Sequence, residues 1–68
     1  MEWTSYFIEN KETHLWWAGQ DEEKDLPIWT NDPMRAYPFD YKFQAEIRAF
    51  AYNLYEITIA TEHIFLNP

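Results

Sequence analysis

The sequence predicts an α+β domain: an antiparallel three- to four-stranded sheet, elements in the order β-β-short α-α-β, and one main helix packed on one face. Three observations carry this. Two aromatic-rich runs near the N-terminus alternate in sidedness and are joined by a tight turn. Apolar residues from Phe43 to Leu54 recur at helical spacing. A β-branched run from Tyr55 to Phe65 alternates again.

In the first run, Trp3 to Glu9, Tyr6 and Ile8 fall on one face and Trp3 and Phe7 on the other. Asn10-Lys11 reads as the turn, since Asn tolerates positive φ. Thr13 to Ala18 is the second strand, with Leu15 and Trp17 on one face and His14 and Trp16 on the opposite one. Gly19 to Asp25 holds the single glycine and four carboxylates, so a loop is expected. Leu26-Pro27-Ile28-Trp29 is apolar and short, and Pro27 confines it to a sheet edge or an extended connection.

Asp32-Pro33 is a helix-start signal, and a single turn through Met34, Arg35 and Ala36 fits before Pro38. Asp40 is expected to cap the main helix. Phe43, Ile47, Phe50 and Leu54, with Ala51, form its apolar stripe, and Asn53 lies near its end. In the last strand Tyr55, Ile57, Ile59, Thr61, His63 and Phe65 share a face, Glu56, Thr58, Ala60, Glu62 and Ile64 share the other, and Asn67-Pro68 ends the pattern. The helix stripe is expected to meet the Ile57/Ile59 face.

Sixty-eight residues make one domain, 1–68, and domains this small are marginal. With no cysteine, disulfides and thiolate metal sites are excluded. Aromatics, 21% of the chain, supply the core instead. A net charge of -7 argues against direct contact with nucleic acid and with anionic membranes. Aromatics on a sheet can stack bases, but Glu2, Glu9 and Glu12 flank Trp3, Tyr6, Phe7 and Trp16 where a base platform needs cations. Met1-Glu2-Trp3-Thr4 lacks the regions of a signal peptide, and the expected location is the cytoplasm.

For catalysis the candidates are few. Ser5 is the only serine and no nucleophile-elbow motif surrounds it, and one glycine cannot build a phosphate-cradling loop. No enzyme activity and no cofactor are expected. A metal would have to draw on Glu12, His14, Glu62 and His63, which show no ligand-spacing motif. A binding role is the stronger expectation. Asp21, Glu22, Glu23 and Asp25 make a run that either is merely solvated or faces a basic groove. In Trp16-Trp17, one indole goes to the core and the other out, and an outward Trp is a natural binding anchor.

The stretch Trp29-Thr30-Asn31-Asp32-Pro33-Met34-Arg35-Ala36-Tyr37-Pro38-Phe39, followed by Ala45 and Ala49, resembles a pattern in small uncharacterised phage and prophage accessory proteins. That resemblance covers roughly the middle half of the chain. It implies host-cell cytoplasm as the location. Small size and acidity further resemble anti-CRISPR and DNA-mimic inhibitors. The resemblance therefore implies a non-enzymatic inhibitor of a host defence protein with a basic surface, such as a CRISPR effector complex. Its contacts would be Trp16, Trp17, Asp21, Glu22, Glu23 and Asp25. The alternative expectation is a structural module that self-associates, as a homodimer, through an exposed sheet face or an edge strand.

Overall fold

The computed structural model describes residues 2–66. Met1, Asn67 and Pro68 lie outside them, and with them the expected strand end at Asn67-Pro68. The elements are β1 (Glu2–Asn10), β2 (Trp16–Asp21), β3 (Leu26–Thr30), α1 (Lys42–Ala51) and β4 (Thr58–Leu66). They form an antiparallel four-stranded sheet in the order β3-β2-β1-β4 with one helix on it, so the α+β class holds.

Alternation in β1 divides the sheet as its sequence demands. Ile8 and Tyr6 turn to the helix side, and Phe7, Ser5 and Trp3 to the other. The connection to β2 is longer than a two-residue turn. The Asn10 side chain accepts from the N–H groups of Glu12 and Thr13, and His14 sits at φ 61. That left-handed residue cannot belong to a strand, so β2 begins at Trp16 and not at Thr13.

β2 pairs with β1 only at Glu9–Trp16 and then diverges. The wedge that opens is filled by the segment after β3. Tyr6 exchanges both backbone hydrogen bonds with Phe39 (2.8 and 3.0 Å), and the Tyr37 N–H donates to the Trp17 carbonyl at 3.0 Å. Buried backbone groups need partners, and this short extended piece supplies them. The register of β2 against β3 shifts between Trp17 and Gln20, where Gly19 takes φ 120 in a bulge. The strand thus runs on to Asp21, and the acidic loop shrinks to a turn over 22–25. Pro27 lies on an edge strand, as its missing N–H requires.

The observed order among the described residues is β-β-β-α-β: Leu26–Thr30 is a strand, and the expected short helix through Met34, Arg35 and Ala36 is only a hydrogen-bonded turn, too brief before Pro38 to close a helix. Asp32 starts this turn. Its side chain accepts from the Met34 N–H at 2.9 Å and its carbonyl from Arg35 and Ala36. The N-cap of α1 is Tyr41 rather than Asp40, and Gln44 reaches back to accept from the N–H groups of both. Asn53 takes the left-handed conformation at the helix end, with the Leu54 N–H returning to the Ala49 carbonyl at 2.7 Å. Residues 55–57 continue as a turn, so β4 begins at Thr58 and not at Tyr55.

The largest departure is the rotation of α1. Its buried residues are Ala45 and Ala49, not the Phe43, Ile47 and Phe50 stripe. Correspondingly, the helix meets the Thr58/Ala60 side of β4 rather than the Ile57/Ile59 side. Space explains this. Trp17, Phe39 and Leu54 already fill the helix-facing core around Ile8, and small side chains let the helix lie close over them. Leu54, the last residue of the expected stripe, does reach the core, because the chain reverses at Asn53.

Candidate interaction surface

Two aromatic clusters sit back to back across the sheet. On the helix side, Trp17 is 1% exposed, and its Nε1 donates to Gln20 at 3.4 Å. Tyr37, Phe39 and Tyr52 pack on its ring. The Arg48 guanidinium lies 5.5–6.0 Å from the ring centroids of Tyr37, Phe39 and Trp17, within cation–π reach. Trp17 is therefore a core residue and is removed from the surface that the sequence assigned to it.

On the other side, Phe7 is buried under Trp16, His63 and Phe65, and Trp3 stacks on Phe65. Trp16 is half-buried, its indole N–H donating to Glu9 at 3.3 Å. The other Glu9 oxygen lies 3.1 Å from His14 Nδ1. Burial holds the His63 imidazole below its usual pKa, with the Glu9 charge pulling weakly the other way. Its Nε2 is 3.2 Å from Thr61 Oγ1. Ser5 stands opposite His63 in register but is buried, and no hydrogen bond joins them among the described residues.

The four acidic residues of the expected loop separate into two kinds, Asp21 ending β2 and the others in the turn. The Asp21 carboxylate folds back to accept from the N–H groups of Glu23 and Lys24, while Glu22, Glu23 and Asp25 are exposed at the hairpin end. Glu12, His14, Glu62 and His63 do not converge, and no group of three or more His, Asp or Glu side chains is placed to hold a metal among the described residues.

The surface that sequence reasoning missed is the outer side of α1. Phe43, Ile47 and Phe50 are 57%, 64% and 71% exposed. Tyr41 stacks on Phe43, and Tyr55 packs edge-on to Phe50, extending the apolar area toward Ile57. The missed signal was the Ala45/Ala49 pair, which marks a second apolar face opposite the stripe.

Between α1 and β4 runs a groove of ≈ 500 Å³, floored by Ile8, Ala45, Ala49 and Ala60 and rimmed by Lys42 and Glu46. Among the described residues, no helix is long and apolar enough to cross a membrane. No protein-family model matches the sequence, and the chain matches neither a curated protein nor a solved structure.

Proposed function

We propose that this chain is a non-enzymatic interaction module that works by binding another protein chain through the outer face of α1 and its surroundings. The observation that carries this is the orientation of the helix, alanines inward and Phe43, Ile47 and Phe50 outward. Leaving a large apolar side chain in water forgoes about 1.5–3 kcal/mol of burial. Three of them forgo an amount comparable to the whole stability of a small domain. Contiguous apolar surface of this kind on a folded chain is characteristic of contact sites.

A second observation supports the inhibitor form of this reading. Glu22, Glu23 and Asp25 are exposed at the end of the β2–β3 hairpin, where a basic partner surface can reach them. Such contacts speed association and weaken with salt.

One experiment tests both. The wild-type chain, a Phe43→Ser/Phe50→Ser chain and a Glu22→Gln/Glu23→Gln/Asp25→Asn chain are immobilised and exposed to host lysate at low and high salt. A protein retained by wild type and lost from the helix variant is expected. Loss from the loop variant and at high salt supports the inhibitor form. Identical retention by all three chains overturns the proposal.

A further inference from the structure

We infer that the chain pairs with a second copy of itself along the free edge of β4, about a two-fold axis at Thr61. This rests on the interaction-module reading and names the partner. β4 ends the sheet, so among the described residues no strand lies against one of its two edges. Which groups it offers follows from β1. Tyr6 spends its N–H and C=O on Phe39, away from β4, so Tyr6–Glu62 is a pair without mutual hydrogen bonds. By alternation, the N–H and C=O groups of Thr58, Ala60, Glu62 and Ile64 point outward, unused by the ladder.

The side chains of these four residues lie on the helix side, and they divide into two unlike halves. Thr58 is buried and Ala60 half-buried beside the groove under α1. Glu62 and Ile64 are exposed beyond the helix, Ile64 at 60%. A two-fold axis at Thr61 sets Ala60 against Glu62 of the second copy and Thr58 against its Ile64. Each small residue beside the groove then meets a large one. Ile64 of each copy enters the groove of the other over its floor of Ile8, Ala45 and Ala49, the rim carrying Lys11 and Lys42 along with Glu46 and Glu56. Centring on Thr61 also avoids a direct Glu62–Glu62 contact, which like charge disfavours, and places Thr against Thr, a favourable cross-strand pair.

The helix joins the same side. Phe50 and Tyr55 are in contact beside Ile57, and Lys42 and Glu46 share the groove with Ile59 and Ala60, so this flank of α1 faces the β4 edge. Arg48 faces the opposite way, over Tyr37 and Phe39. The exposed portions of Phe43, Phe50, Tyr55 and Ile64 on the helix side, with those of Ile57 and Ile59 on the other side of the same edge, come to on the order of 600 Å², taking a large side chain as roughly 200 Å². A standard interface takes about 800 Å² from each partner, and backbone along the edge supplies the remainder.

The experiment is sedimentation equilibrium from micromolar to millimolar concentration on the wild type, Ile64→Asp and Glu62→Pro, with circular dichroism as the check of fold. Ile64 is exposed in the single chain, and the Glu62 N–H is not used by β1, so both variants keep the monomer fold. The wild type is expected at twice the 8.4 kDa chain mass and both folded variants at the chain mass. A wild type at the chain mass throughout overturns the inference, as does a dimer that survives both substitutions. Neither result decides the module reading, which is overturned by identical retention from lysate on the wild-type, helix-variant and loop-variant chains.

Discussion

Phe7 and His63 stack with 4.3 Å between ring centroids and 27° between planes, and Trp16 closes the imidazole edge-on at 4.9 Å. An imidazole so enclosed resists protonation. Its pKa in the folded chain lies below the ordinary 6.5, with burial the larger cause and Glu9 opposing it. The unfolded chain therefore binds a proton first as pH falls through 6.5. The His63 contribution to stability is full above that value, declines through the window down to the folded-state pKa, and levels off below it. His63→Phe keeps the stack and removes the proton site. Urea midpoints of the two chains, measured above and below pH 6.5, are expected to fall more steeply for the wild type. Equal slopes would sink the idea that His63 sets this dependence.

The orientation of α1 yields opposite expectations for residues two positions apart, which fall on opposite sides of the helix. Ile47 points outward, so Ile47→Ser is expected to change the stability of the single chain by no more than about 0.5 kcal/mol. Were Ile47 in the core, as the helical stripe alone suggests, its truncation would cost about 2–5 kcal/mol. Ala45 is fully buried, and Ala45→Leu is expected to cost about 1–3 kcal/mol by forcing the helix off the sheet. Denaturant titrations of the two variants decide between the orientations.

That contrast also shows where reading the chain succeeds and where it stops. Local chemistry was legible: the faces of β1, Pro27 at an edge, Asp32 as a turn start and the opposed Trp16 and Trp17. Each follows from one residue's stereochemistry or from a period of two. The rotation of α1 was not legible, because the helix has two apolar faces, one large and one small. Choosing between them needs the volume that Trp17, Phe39 and Leu54 occupy beneath it. The same long-range dependence hid the Tyr6–Phe39 bridge, which closes a gap only the divergence of β2 creates.

Two backbone positions carry conformations that their substitutions should expose. Gly19 at φ 120 has nothing within 4 Å of an added Cβ, so space does not limit it. The φ value does, and Gly19→Ala is expected to destabilise the chain by about 1–3 kcal/mol. Asn53 at φ 59 ends α1 in the left-handed region that Gly also favours. Asn53→Gly is expected to be neutral or slightly stabilising, and Asn53→Val to cost roughly 1–2 kcal/mol. Thermal melts of the three variants check the order.

The two neighbouring indoles answer which of them is open to a partner. Trp17 touches Tyr37, Phe39 and Tyr52 and is buried with Ile8 and Ala45. Trp17→Ala is expected to cost about 3–5 kcal/mol, which in a domain this small approaches its entire stability. Its signature is a loss of near-ultraviolet circular dichroism at room temperature. Trp16 is only half-buried and contacts Phe7, His63 and Glu9. Trp16→Ala loses part of that packing and one hydrogen bond, so it is expected to stay folded with a lower urea midpoint. A folded Trp16→Ala chain can then be assayed for partner retention, whereas a Trp17→Ala chain cannot. Retention lost on Trp16→Ala but kept on Ile47→Ser would move the binding surface from the helix to the opposite face of the sheet.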